Sequence, residues 1–327
     1  MLTRGIASDA CARAMTAALP APGQGTRMLF APPQRIETEV FAEVPARFRK
    51  INAPSERGRK AAGCSLEGPS FDRAGNLYFV DSFYGRIFRA TPRGDVELVA
   101  DYDGEPNGLK IHQDGRIFVA DFKNGIMLLD PASGSVSRLV SRHHTEHFKG
   151  VNDLVFASNG DLYFTDQGAS GYNDSSGKVF RLTAGCELEC VADNIPSPNG
   201  LTLNREDNAL YVAVTRANAV WRLPLSPAGA VMRMGNFLQL SGGRGPDGLA
   251  LDEGGGLAVA HPELGAVWIF SAAGEPLYRV QSCRGAFTTN IAYGGADRRD
   301  LYITEADSGC VLVARVPTPG RPMYSHM

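Results

Sequence analysis

The stretch Gly245-Pro246-Asp247-Gly248-Leu249-Ala250-Leu251-Asp252, GPDGLALD, reads as a turn followed by the start of a strand. The chain repeats it in outline as EPNGLKIH (105–112), GVNDLVFA (150–157) and SPNGLTLN (197–204), each time with Asn or Asp at the same place. Extending the comparison outward gives six corresponding residues, Glu67, Asn107, Asn152, Asn199, Asp247 and Asn290, spaced 40, 45, 47, 48 and 43 residues apart. A second apolar run follows each: NLYFVD, RIFVAD, DLYFTD, ALYVAV, GLAVAH and DLYITE. The residue closing that run (Asp81, Asp121, Asp166, Val214, His261, Glu305) always falls 14 or 15 positions after the key residue. A third run, such as GRIFRA or AVWIF, completes each repeat, and most repeats have a fourth, such as VELVAD.

Apolar alternation of period two, rich in Val, Ile, Phe and Tyr and bounded by Gly, Asp and Asn, specifies strands and hairpin turns. Four short strands in a repeat of about 45 residues make a propeller blade. Six repeats therefore predict an all-β, six-bladed β-propeller with four antiparallel strands per blade. The last repeat ends after three strands near Val316, while ETEVFAEV (37–44) stands unassigned ahead of the first blade. This segment is expected to supply the missing outer strand and to close the ring without a free edge. The propeller then occupies 36–317 and is followed by a short C-terminal tail, 318–327. Residues 1–35 carry Arg4, Arg13, Arg27 and Arg35 against one acid, Asp9, and Arg13 interrupts any apolar core a secretory signal would need. They read as a disordered or misannotated extension.

With 43% hydrophobic residues and a formal net charge of -2, the 327-residue chain can bury a large core and has no basic run. Such a charge gives little attraction to nucleic acid or an anionic membrane surface. No apolar run approaches the roughly 20 residues that span a bilayer. The six cysteines, Cys11, Cys64, Cys186, Cys190, Cys283 and Cys310, lack paired CxxC spacing and read as reduced thiols of a cytoplasmic protein. A monomer or small homo-oligomer acting on a small molecule is expected.

In a propeller the first strand of each blade is innermost, so the residue just before it should stand at the mouth of the central channel. The six key residues then form one ring of two carboxylates and four carboxamides, all oxygen donors. Hard oxygen ligation, with amides diluting two negative charges, suits Ca²⁺. Turn preference alone explains Asn, Asp and Gly, but it does not exclude Ser from every key position or account for Glu67. Asp81, Asp121, Asp166, His261 and Glu305, at the ends of the second strands, are expected on the same face.

At these residues the sequence resembles the SMP-30/gluconolactonase/LRE family of six-bladed lactonases. The resemblance covers roughly 60–317 and rests on LEGPSFD, GVNDLVFASNGDLYFTDQG, SPNGLTLN, GPDGLALD and TTNIAYGGADRRDLYIT, in order and one blade apart. It implies that Glu67, Asn152, Asn199 and Asp247 hold one divalent metal, usually Ca²⁺, with Zn²⁺, Mn²⁺ or Mg²⁺ serving in some members. It also implies hydrolysis of a sugar lactone or related small lactone, which makes the chain a hydrolase of carboxylic ester bonds. The resemblance points to Asp247 as the general base. A carboxylate tightly bound to a metal is a poor base, so either its second oxygen acts or another acid, Asp153 or Asp166, does.

Several features depart from the gluconolactonase pattern. SRHHTEHFKG (141–150) brings His143, His144 and His147 ahead of the Asn152 motif, where they could orient substrate, bind a second metal or simply be solvated. GASGYNDSSG (168–177) is a loop expected to overhang the mouth, with Tyr172 helping to set ring-size preference. Asn107 stands where some lactonases of this architecture place a histidine, and its amide should hydrogen-bond water or substrate. Substrate binding is thus assigned to Asn107, Asn152, Asp166 and Tyr172. No GxSxG, HExxH or GxxxxGK[ST] motif offers a rival chemistry. The alternatives are a strictosidine-synthase-like propeller enzyme, which lacks the metal ring, and a non-enzymatic propeller binding module.

Overall fold

The computed structural model describes residues 30–50 and 63–327; most of the 1–35 extension lies outside them. Apart from three short 3-10 turns, its regular elements are all strands. Each blade runs from an inner to an outer strand. Blade one comprises Leu66–Phe71, Leu77–Asp81, Arg86–Ala90 and Val96–Asp101; blade two, Pro106–Ile111, Ile117–Asp121, Gly125–Asp130 and Ser135–Val140. Blade three comprises Val151–Phe156, Leu162–Asp166, Gly177–Leu182 and Leu188–Ile195; blade four, Pro198–Leu203, Ala209–Val214, Ala219–Pro224 and Gly235–Gln239. Blade five comprises Leu249–Leu251, Leu257–His261, Ala266–Phe270 and Pro276–Gln281. Blade six has Thr288–Gly294, Asp300–Glu305 and Cys310–Arg315, and its outer strand is Glu39–Glu43, antiparallel to Cys310–Arg315, as the unassigned ETEVFAEV segment predicted.

The N-terminal segment does more than that reading foresaw. Just before it closes blade six, Gln34–Glu37 pairs in parallel with Pro276–Gln281, as a fifth strand on blade five. Backbone pairing there leaves QRIE exposed or half-buried, so it carries no alternating pattern by which sequence could reveal it. One continuous segment thus staples two adjacent blades.

The core is divided between the blades, with an apolar layer at each of the six blade-to-blade contacts. In the second strand of blade one, Leu77 and Phe79 face blade six, while Tyr78 and Val80 face blade two. The same parity holds in blade three: Phe164 packs with Phe118 and Phe156 toward blade two, and Tyr163 packs with Leu201 and Val212 toward blade four. A strand buried on both faces must be apolar at both parities. That is why LYFVD, IFVAD and LYFTD read as nearly unbroken apolar runs.

The segment read as a simple C-terminal tail is a clasp across the end of the channel opposite the key residues. Gly320 N–H donates to Arg298 O at 2.7 Å and Arg321 N–H to Leu251 O at 3.0 Å, binding blades six and five. The Arg321 guanidinium donates to Asn204 O and Asp207 of blade four at 2.9 and 2.7 Å. The buried Tyr324 ring stacks on Phe156 of blade three and meets the His112 edge of blade two, both with centroids 5.0 Å apart. Ser325 Oγ donates to Phe71 O of blade one at 3.0 Å. The ten residues therefore touch all six blades. Truncation of a buried aromatic costs about 3 kcal/mol, so Tyr324→Ala should destabilise the protein by about that much in urea unfolding. Deletion of 318–327 should cost more; a deletion variant as stable as the parent would show that the clasp contributes nothing.

Candidate active site

The backbone that aims the key residues is irregular in a regular way. The inner-strand register slips between Glu67 and Ser70, Pro106 and Gly108, Val151 and Leu154, Pro198 and Leu201, and Thr288 and Ile291. Each slip spans a key residue or, at Glu67, begins at it, and a β-bulge there re-aims the side chain. The expectation that these residues stand just before the strand therefore holds for Asp247 alone, ahead of Leu249–Leu251; the others lie inside their strands, because pairing resumes on the far side of the bulge.

Glycine follows four of the six, at Gly68, Gly108, Gly200 and Gly248, for a steric reason. A Cβ on Gly68 would lie 2.5 Å from Asn107 O, on Gly200 2.4 Å from Asp247 O, and on Gly248 2.3 Å from Asn290 Oδ1. Neighbouring inner strands are too close for any side chain there. In blade three Asp153 fills the equivalent place, and its Oδ1 occupies the space left by Gly108. Asp153 accepts from Leu154 N–H at 2.8 Å and Asn290 Nδ2 at 3.3 Å, with Lys110 Nζ 3.9 Å away.

Above this layer opens a cleft of about 710 Å³, lined by Glu67, Asn107, Asn152, Asn199, Asp247 and Tyr172 among others. Five of the six expected ring members thus share one site. Asn290 does not line it: its amide is turned to Asp153 and to Glu67 instead. The five are buried and Tyr172, on the overhanging loop, is 73% exposed. Asn152 Nδ2 donates to Gln167 Oε1 at 2.9 Å, and Gln167 Nε2 donates to Ser197 Oγ at 3.0 Å. This chain orients the amide and leaves Asn152 Oδ1 buried with no hydrogen-bond donor. Burial, then the negative charges of Asp247 and Asp153, push the Glu67 carboxyl well above the usual carboxylate range. Among the described residues no three His, Cys, Asp or Glu side chains gather at metal-binding distance. A cation here would have to be held by the two carboxylates together with amide oxygens.

The acids that close the second strands are placed otherwise than expected. Asp81, Asp121, Asp166 and Glu305 pair with Leu66, Pro106, Val151 and Thr288, the residues before or near the key ones, which turns their side chains away from the cleft. Asp166, expected to bind substrate, accepts N–H groups from Lys149 at 3.1 Å and Gly150 at 2.7 Å and does not line the cleft. Asp81 holds Ser65 N–H and the Arg86 guanidinium, Asp121 holds the Lys123 and Asn124 N–H groups, and Glu305 holds those of Asp307 and Ser308. His261 Nε2 lies 3.0 Å from Gly242 O. These side chains fasten the loops that carry the site.

His143 and His147 lie in a separate hairpin, Arg142–His143 with Glu146–His147, beside the outer strand of blade three. The His143 ring packs on His144 and Phe180, and none of the three histidines lines the cleft. The sequence reading missed the Gln167 and Ser197 pair that orients Asn152 and both basic side chains of the cleft: Arg216, just past the second strand of blade four, and Arg244, three residues before Asp247. Their proximity in sequence to key segments was the only available signal.

Comparison with known proteins follows the same lines. The family model for the SMP-30/gluconolactonase/LRE-like region matches residues 66–307. The lactonase drp35 of Staphylococcus aureus (strain MRSA252) is 31% identical over 230 residues, covering 67% of this chain and 70% of that protein. The lactonase drp35 of Staphylococcus saprophyticus is 32% identical over 228 residues, with the same coverage of 67% and 70%. Among solved structures, a calcium-binding regucalcin from Agrobacterium tumefaciens superposes with a TM-score of 0.74 at 20% identity, over 91% of this chain and 100% of that one. A gluconolactonase from Xanthomonas campestris gives 0.70 at 22% identity, over 89% and 99%. With the family model spanning all six inner strands, the chain belongs to the SMP-30/gluconolactonase/LRE-like family.

Proposed function

We propose that this protein is a metal-dependent lactonase that opens the ester ring of a sugar lactone or related small lactone. The observation that carries this reading is a buried ring of oxygen donors at the floor of an open cleft, containing two mutually repelling carboxylates and one amide oxygen, Asn152 Oδ1, with no donor. Buried acceptors without partners are costly, and buried like charges more so; a bound cation answers both. Glu67, Asn152, Asn199 and Asp247 would hold it, and hard neutral and anionic oxygens favour Ca²⁺, with Zn²⁺, Mn²⁺ or Mg²⁺ as substitutes. Bound there, a divalent ion supplies a fixed positive charge that polarises an ester carbonyl and favours an oxyanion.

The side chains do the rest. The Gln167 and Ser197 chain holds Asn152 in one orientation. Asn107, in the cleft without a titratable group, donates to a substrate oxygen, and Tyr172 meets the sugar ring at the exposed edge. Asp247 takes the proton from the attacking water. Among the described residues it is the one cleft carboxylate besides Glu67, whereas Asp153 and Asp166 are occupied outside the cleft. A reducing, cytoplasmic setting is supported by Cys64, Cys186, Cys190, Cys283 and Cys310, all free thiols.

Chelation should abolish turnover of a panel of sugar and small lactones, and added Ca²⁺ should restore it. Loss of a general base costs about 10²- to 10⁴-fold, so Asp247→Asn should lower kcat/KM by at least the smaller figure, whereas Asp166→Asn should keep activity at the cost of stability. Full activity in Asp247→Asn would remove it from the mechanism, and a panel silent with every ion would leave the binding-module reading. A second expectation follows from the raised pKa of Glu67. In metal-free protein its ionisation costs stability: the cost is absent below the ordinary carboxylate pKa, grows as pH rises toward the folded-state value and is complete above it. Glu67→Gln should therefore raise the melting temperature of metal-free protein at pH 7, do little at pH 4, and erase the stabilisation by Ca²⁺. Calorimetry with and without the ion measures all three, and a metal-free variant that melts lower than its parent at pH 7 would contradict the reading.

A further inference from the structure

We infer that the lactone taken by this cleft carries a negatively charged substituent remote from the ester, a carboxylate or a phosphate, and that Arg216 and Arg244 bind it; this rests on the lactonase reading above. Arg216 lies in the 3-10 turn Thr215–Ala217 after the second strand of blade four, and Arg244 lies in the connection that leads into Asp247. The two segments are locked together. Thr215 Oγ1 donates to Pro246 O at 2.8 Å, and Gly245, with φ +105°, comes so close that a Cβ on it would lie 2.1 Å from Thr215 O. Two arginines therefore rise from adjacent backbone and line one cleft.

Each stem is steadied at its side. The Arg244 guanidinium lies 5.7 Å from the centroid of the Phe287 ring, and Arg216 Cγ runs past Gly171 of the overhanging loop. Both arginines are exposed at the rim, whereas Glu67, Asn152, Asn199 and Asp247 are buried at the floor. They therefore meet a part of the substrate other than the ester. Neither forms a salt bridge with a described acid, although ten other described arginines do.

Charge balance gives the inference its direction. The two floor carboxylates, Glu67 and Asp247, offset one divalent ion, and Asp153 beneath them has Lys110. With the ion bound, the two rim arginines are the charge left over. A neutral sugar lactone would leave both facing water, while an anionic one places a multidentate oxygen acceptor against guanidinium forks that carboxylate and phosphate oxygens both match. At this exposed rim solvent screens the pairing, but two like charges side by side still raise the local concentration of anionic substrate at low ionic strength.

The test uses the full-length, Ca²⁺-loaded protein and lactones matched in ring and differing in charge: glucaro-1,4-lactone against glucono-1,4-lactone for a carboxylate, and 6-phosphoglucono-1,5-lactone against glucono-1,5-lactone for a phosphate. A hydrogen bond to a charged group is worth about tenfold or more, so at least one anionic lactone should exceed its neutral counterpart in kcat/KM by about that factor at low ionic strength. The advantage should shrink in high salt. Arg216→Gln and Arg244→Gln should each reduce it, through a higher KM for the anionic member, while Arg222→Gln, on the third strand of blade four outside the cleft, should leave the ratio as it was. The pair that shows the effect identifies the anion. Equal kcat/KM for charged and neutral lactones, or arginine variants that lower kcat alike for both, would overturn the inference while leaving the lactonase reading intact. Silence toward all four lactones with ions supplied would overturn both.

Discussion

Everything at the site follows from how closely the six inner strands approach one another. At Gly68, Gly108, Gly200 and Gly248 one strand lies so near the next that a single methyl group would collide with backbone or buried side-chain atoms. This contact draws the channel tight, and the tightness buries the ring. Burial makes Glu67 hard to ionise and leaves Asn152 Oδ1 without a donor. A wider channel would hydrate the same residues and leave them unremarkable polar groups.

The fold tolerates this polar floor because its apolar burial lies elsewhere. Six interblade layers, with large side chains such as Phe79, Phe88 and Phe164 almost wholly enclosed, carry the hydrophobic stabilisation independently of the axis. Two peripheral devices then hold the ring shut. The N-terminal segment joins blades five and six by backbone pairing, and the C-terminal clasp ties all six at the far end. The mouth, by contrast, is framed by loops whose N–H groups are gathered by Asp81, Asp121, Asp166 and Glu305. Scaffold and chemistry are separated along the channel axis.

The second-strand acids show where a sequence reading loses its grip. Asp166 sits 14 residues after Asn152, a spacing that brings the two near each other. Whether both face the cleft depends on strand parity, and a bulge of one residue reverses parity without leaving a mark in the composition. Asn290 was expected in the ring for the same reason that Asp247 was, by its place in the repeat. Its amide is instead drawn beneath the mouth by Asp153, a residue of the opposite side of the propeller and 137 positions away.

The sequence by itself determined the alternating strands of the blades, the number of blades, the closing outer strand and five residues that line the cleft, because each depends on short-range alternation or on a repeat that symmetry converts into a circle. Only the tertiary structure decided which acids fasten loops and which face the cleft, that residues 318–327 clasp the ring, and that Arg216 and Arg244 share one rim. Those outcomes depend on bulges, which recur with the blades but leave no mark in residue type, and on contacts between segments far apart in the chain, which have no period to display.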